Sequence, residues 1–271
     1  MRKKIKMDSL FVRSLVILLS VLFVILNTAF FFNKYIMNAG SPTFNDKNDK
    51  IQSGTVTEKI TNVMPTPTPV KKEVLLLIDP GHGGEDLGTY FDNIYEKVLN
   101  LDISLKLGKL LENDGFKVLF TRKEDVFVGL KERSDLANEK DATLFLSIHN
   151  NNMPDSPNYK GTETLYCPGS SGNGKINGER FAQIVQEELV KRLGTIDNGI
   201  IARPNLSVLR RTQMAAVIAE IGYISNYSDR IKLNTEYFRQ EAAVALHKAV
   251  KRTLDEMNVK KQPDNRWIIS G

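Results

Sequence analysis

The chain of 271 residues has few of the side chains that most often carry chemistry: three histidines, one cysteine and one tryptophan. Cys167 has no second cysteine to pair with inside the chain, so no disulfide framework holds the fold. No segment recurs at a fixed period, which excludes solenoids and propellers. Basic charge is missing where a nucleic-acid surface would need it. The formal charge is +5, but residues 1–72 hold 11 Lys+Arg against 4 Asp+Glu, while 73–271 hold 26 against 28. A nucleic-acid footprint belongs on the folded domain itself. Here the excess sits on the leading segment, so no nucleic-acid partner is expected.

What the leading segment does have is a basic start and an uncharged run. Arg2, Lys3, Lys4 and Lys6 precede residues 14–32, which carry no charge. Nineteen residues at about 1.5 Å each make roughly 28 Å of helix, enough to cross a hydrocarbon core. Positive flanks stay cytoplasmic. The pattern predicts a cytoplasmic tail over 1–13, a transmembrane signal-anchor over 14–32, and everything beyond it outside the cytoplasm. The competing reading is a cleaved signal peptide and a secreted protein. Cleavage needs small residues at −3 and −1; Asn27-Thr28-Ala29 lacks the first, and Ala39-Gly40-Ser41 is followed by Pro42. Residues 33–72 are polar and end in Pro65-Thr66-Pro67-Thr68-Pro69, the composition of a semi-rigid extended linker.

From Glu73 the pattern changes. Val74-Leu75-Leu76-Leu77-Ile78 is wholly apolar and stops at Asp79-Pro80-Gly81, as a strand buried on both faces does. Glu96 to Leu111 reads as a helix with Leu99, Ile103, Leu107 and Leu110 along one face. Further strands are predicted at 116–120, 142–148 and 215–221, with 162–166 at an edge. Further helices fall at 130–138 and 178–193, and a last one starts near Asn234 and runs to about Met257. Strands alternating with helices imply an α/β domain over 73–258: a three-layer, mainly parallel twisted sheet with helices on both faces. Residues 259–271 read as a flexible tail.

In open α/β sheets, ligands bind beyond the carboxyl ends of the strands. The first strand leads into Gly81-His82-Gly83-Gly84, and the third ends directly at His149. Two of three histidines thus occupy equivalent places, and imidazole nitrogens suit zinc, whose catalytic sites take three protein ligands and keep one position open. His247, mid-helix beside Lys248 and Lys251, reads as a half-exposed helix residue. The third ligand is then a carboxylate or Cys167, which sits in a Tyr-Cys-Pro-Gly turn. Glu96 opens its helix on the face that meets the sheet, although an acidic residue there also simply suits a helix N-terminus. Glu220 interrupts the apolar run Ala215 to Ile221 at a strand end. Glutamate is almost never fully buried without a partner, so it is read as functional.

Several segments carry a resemblance. IDPGHGGEDLGT at 78–89, EKVLNLDISLKL at 96–107, TRKEDVFVGLKERSDLAN at 121–138, LSIHNN at 146–151 and LSVLRRTQMAAVIAEIGYISN at 206–226 follow in order. Together they resemble the zinc-dependent N-acetylmuramoyl-L-alanine amidases of the amidase-3 family over nearly all of 74–255. The resemblance implies that His82, Glu96 and His149 hold one zinc ion and that Glu220 is the catalytic carboxylate. Arg203, Arg210 and Asn150 are candidates for seating substrate, although Asn150 and Asp86 also suit a role in shaping turns, and the arginines a place on the solvated surface. The substrate implied is peptidoglycan. No added wall-binding module or inserted autoinhibitory helix is evident. An anchor, a linker and a bare catalytic domain resemble the CwlD-like sporulation and germination type, some of which work with a lipoprotein partner. Two rival readings use the same scaffold: a zinc peptidase cutting within the stem peptide, and a non-catalytic wall-binding or activator protein.

Overall fold

The computed structural model describes residues 72–169 and 176–269. The anchor expected at 14–32 and all of the linker but Lys72 lie outside them. Among the described residues no helix is long and apolar enough to cross a membrane.

Apolar β-branched runs become strands, and the 3.6-residue stripes between them become helices. In chain order the elements are β1 (Lys72–Glu73), β2 (Leu75–Pro80), β3 (Tyr90–Phe91), β4 (Ile94–Tyr95), α1 (Glu96–Asn113), β5 (Lys117–Phe120), α2 (Leu130–Glu139), β6 (Leu144–Asn151) and β7 (Thr162–Tyr166). They continue with α3 (Gly178–Leu193), β8 (Asp197–Ala202), α4 (Ser207–Arg211), β9 (Ala215–Tyr223), α5 (Tyr227–Leu233), α6 (Glu236–Glu256), β10 (Val259–Lys261) and β11 (Trp267–Ile269).

The central sheet has six strands in the order β5-β2-β6-β9-β7-β8. The pairs β2–β5, β2–β6, β6–β9 and β7–β8 are parallel, and β7 runs antiparallel to β9. The mostly parallel α/β sheet expected from the sequence is therefore present. Alternate residues face opposite ways along a strand. Leu76, Ile78, Leu144, Leu146, Ile148, Val217 and Ala219 join one apolar cluster with Ile103 and Leu107 of α1, Phe181 and Ile184 of α3, and Leu246 of α6. Their neighbours Leu77, Phe145, Ala216 and Ile218 join a second cluster with Ala137 of α2 and Val208 and Leu209 of α4.

Three expectations change. β7 is interior, because β8 covers its outer side; β8 escapes prediction since Asp197-Asn198-Gly199 has the composition of a turn. Asn234 caps the end of α5, and the last helix takes Thr235 as its N-cap, whose hydroxyl accepts from Phe238 N–H at 3.3 Å. The segment read as a flexible tail instead makes β10 and β11, and β11 also pairs with β1. Trp267 stacks on Phe116 with ring centroids 4.5 Å apart, giving the hairpin an apolar anchor that its Lys260-Lys261 and Asp264-Asn265 composition hides.

Candidate metal centre

The carboxyl ends of β2 and β6 are adjacent, so the residues that follow them meet. After β2 the backbone takes three successive positive φ values, at His82 (60°), Gly83 (133°) and Gly84 (59°). Such a conformation is costly for histidine and persists where the surroundings over-determine it. Here two buried arginines grip the carbonyls of the turn. Arg122 donates to Pro80 O and Gly81 O at 3.0 and 2.9 Å, and Arg133 donates to Pro80 O and His82 O at 2.8 and 2.9 Å. Arg133 also pairs with buried Asp79 at 2.7 Å, which Thr121 and Ser147 satisfy further at 2.6 and 2.7 Å. The turn that carries His82 is thus fastened from β2, the 121–126 loop and α2.

His82 Nδ1 lies 2.9 Å from Asp86 Oδ2, which fixes the ring and leaves Nε2 facing inward, 3.2 Å from Glu96 Oε1. His149 Nδ1 lies 2.9 Å from that same oxygen. The two imidazoles meet edge to face with centroids 4.9 Å apart. Glu96 is the first residue of α1 and is buried, yet every contact favours its charge. Thr89 N–H donates to Oε2 at 2.9 Å, and Asn150 N–H and Asn100 Nδ2 donate to Oε1 at 3.2 and 3.3 Å. Burial alone would raise its pKa; the hydrogen bonds and charges of His149 and His82 outweigh that and hold it far below the ordinary carboxylate range. The His82 imidazole moves the other way: burial lowers it, and Glu96 and Asp86 together raise it.

Two glycines give the cluster its room. A Cβ on Gly81 would fall 2.2 Å from His149 Nε2, and one on Gly88 would fall 2.6 Å from both Glu96 Oε2 and His82 Cδ2. One donor atom each from His82, Glu96 and His149 lies within 4.8 Å of the others, with Glu96 buried. Two imidazoles and one carboxylate are the donor set of a catalytic zinc site with an open position. The residues fit a divalent cation, and Asp86 behind His82 is the outer partner such a ligand requires.

Glu220 stands next to this cluster. In the sheet register it faces His149 on β6 and Glu163 on β7. Among the described residues its Oε2 is buried with no hydrogen-bond partner. Burial, and then the carboxylates of Glu96 and Glu163, push its pKa well up. Glu163, by contrast, is fully engaged: Asn151 Nδ2 donates to it at 2.7 Å and the Tyr223 hydroxyl at 2.9 Å.

The other predicted residues divide. Asn150 is buried beneath Glu96, with its backbone on Glu96 and its side chain donating to Asn100 at 2.8 Å. Arg203 is exposed, and its N–H bonds Tyr166 O at 2.7 Å, three residues along β7 from Glu163 and so roughly 10 Å farther down the sheet. Arg210 is exposed on α4. The structure does not bring either arginine into the cluster. Cys167 packs in the second apolar cluster, and His247 meets Asp114 at 2.9 Å on α6. Arg122, Arg133, Asp79 and Glu163 are the residues sequence reasoning missed. The available signal was two arginines inside 121–138 and a glutamate in a β-prone run.

Fold and site together define an α/β protein with a His–Glu–His group that could hold a divalent cation and an adjacent buried glutamate. The N-acetylmuramoyl-L-alanine amidase family matches residues 76–252, and the chain belongs to that family; it is an enzyme of the amidase class. It is 36% identical to the N-acetylmuramoyl-L-alanine amidase LytC of Bacillus subtilis over 71% of this chain and 37% of that protein. It is 34% identical to the sporulation-specific N-acetylmuramoyl-L-alanine amidase of the same organism, over 63% of this chain and 64% of that one. The structure superposes with a TM-score of 0.62 and 26% identity on the CwlD amidase of Clostridioides difficile, solved in complex with the GerS lipoprotein, covering 67% of this chain and 98% of that one.

Proposed function

We propose that the enzyme hydrolyses the amide between the lactyl group of muramic acid and the first L-alanine of the stem peptide in peptidoglycan. The observation that carries this reading is the pairing of three cation donors within 4.8 Å with a buried, unpartnered Glu220 oxygen one strand away. An unactivated amide needs both a way to stabilise developing negative charge and a group to move a proton from attacking water to the leaving amine. His82, Glu96 and His149 would hold zinc. Once bound, zinc supplies Lewis acidity for water and for the amide carbonyl.

Glu220 supplies the proton route. Its free oxygen faces the same space as His149, and a carboxyl raised by burial takes up a proton readily. It receives the proton of the attacking water and returns it to the departing nitrogen. Asp86, Asn150, Asn100 and Thr89 hold the ligands still. Asn150 belongs to that support, while Arg203 and Arg210 are left to a part of the polymer away from the reacting bond.

The domain works outside the cytoplasm, tethered by 14–32 and spaced from the membrane by 33–72. Likeness to a sporulation-specific relative supports a place in sporulation, and the CwlD-like order of anchor, linker and bare catalytic domain carries the reading that this place is forming the muramic δ-lactam of spore cortex. Likeness to CwlD, solved with a lipoprotein, supports a lipoprotein partner. Digesting purified peptidoglycan with the zinc-loaded enzyme tests the central reading by product mass. Free alanine amino termini beside peptide-free muramic acid are expected. Cuts confined to bonds inside the stem peptide would make the enzyme a peptidase instead.

A further inference from the structure

A cavity of about 160 Å³ opens beside the two imidazoles, and nothing in the proton route uses it. His82 and His149 form one end. The remaining wall is mostly apolar: Phe127 and Val128 from the loop before α2, Leu130 at its first turn, Leu206 and Val208 at the entry to α4, and Ile218 of β9. Of its polar lining, Asp79 and Arg133 are satisfied by each other and by Thr121 and Ser147, and Asp86 is held on His82 and Gly88, which leaves the Ser207 hydroxyl as a small polar spot in an otherwise apolar wall. Ile218 and Glu220 share one face of β9, about 7 Å apart along the strand. A group resting on Ile218 is therefore only a few bonds from an atom within reach of Glu220. The cavity volume is ample for a methyl or a branched aliphatic group. Phe127 and Leu130 stand more than half exposed at the mouth, 54% and 61%, as walls awaiting a ligand would.

The geometry points to this cavity as the subsite for the small apolar substituent on the carbon next to the scissile amide. That assignment rests on the amidase reading. Two methyl groups have this chemistry, one on the acyl side and one on the amine side of the bond. Burying one methyl in an apolar pocket gives about tenfold or more in discrimination.

The test compares kcat/KM on matched zinc-loaded enzyme for three muramoyl-peptide substrates: the parent, one with glycine replacing the first alanine, and one with a glycolyl group replacing lactyl. Wild-type enzyme is expected to favour the parent by roughly tenfold over one of the two truncated substrates, and that arm identifies the side of the amide that enters. Val208→Phe, which fills the cavity, and Leu130→Ser, which makes its exposed mouth polar, are expected to bring that same ratio close to one. Leu130 lies on the surface, so Leu130→Ser keeps the test valid if Val208→Phe does not fold. Ratios unchanged in the folded variants, or a wild-type enzyme indifferent to both methyls, overturn the subsite while leaving the amidase reading intact. A wild-type enzyme inert on all three substrates overturns both.

Discussion

The two faces of the central sheet are made by the same strands and have opposite characters. On one face Leu76, Ile78, Leu144, Leu146, Ile148, Val217 and Ala219 join one apolar cluster with side chains of α1, α3 and α6, and the buried polar groups there, Asn100 and Gln186, are hydrogen-bonded. On the other, each strand starts apolar and turns polar toward the active end. Leu77 gives way to Asp79, Phe145 to Ser147 and then His149, and Ile218 to Glu220. Because side chains alternate with a period of two, no residue has to serve both faces. The aliphatic face stabilises the strands that hold the chemistry. The mixed face holds buried charge, which is costly unless paired, and nearly all of it is paired: Asp79 with Arg133, Glu163 with Tyr223 and Asn151, and Glu96 with two histidines. Among the described residues Glu220 is the exception, which is what the proposed proton route requires.

The sharpest way to break this division is at that exception. Glu220→Gln keeps the shape and removes the proton acceptor, so turnover should fall about 10²–10⁴-fold. Zinc content by metal analysis should stay at the wild-type value, and the unfolding midpoint at neutral pH should stay level or rise, since no hydrogen bond to Oε2 is lost and an unfavourably buried charge is removed. Near-normal hydrolysis would remove Glu220 from the mechanism. The opposite face should behave in reverse. Leu246 of α6 is fully buried, and Leu246→Ala should cost about 2–5 kcal/mol in denaturant titrations at fixed zinc. Activity per folded molecule should not change. A variant of normal stability that binds zinc poorly would show that the two faces are coupled.

The same alternation explains what could be foreseen from the chain and what could not. His82 and His149 stood out because each ends an apolar run where ligands collect, and Glu220 because it breaks one. Glu96 was ambiguous: an acidic residue at a helix start is unremarkable, and only its three-dimensional neighbours place it in a group that could hold a cation. Glu163 was hidden for a related reason. Thr162 to Tyr166 suits an edge strand, where a charge is ordinary, and only β8 on its outer side turns that position into a buried one. Arg122 and Arg133 lie outside any strand and look like solvated charges; apart from the Asp79 carboxylate on Arg133 their partners are backbone carbonyls, which no sequence pattern displays. The β10–β11 hairpin was lost because pairing with β1, two residues long and nearly 200 positions away, is what orders it.

The mildest test lies one layer behind the ligands. Asp86 Oδ2 sits on His82 Nδ1, and its Oδ1 accepts from Gly88 N–H at 3.1 Å in the same turn. With Nδ1 hydrogen-bonded to a carboxylate, His82 presents a lone pair at Nε2 and a more basic ring. The contact with His82 holds the Asp86 carboxyl below its ordinary range, although burial alone would raise it. Asp86→Ala should weaken zinc binding about 10–100-fold in chelator competition, with the sheet and its aliphatic face intact by circular dichroism. Asp86→Asn has one oxygen, which can accept from the ring or from Gly88 N–H but not both, and should fall between Ala and wild type. Equal affinity in all three would mean that the carbonyl grip of Arg122 and Arg133 holds the His82 turn unaided, and that the polar face depends on backbone rather than on paired charge at this corner.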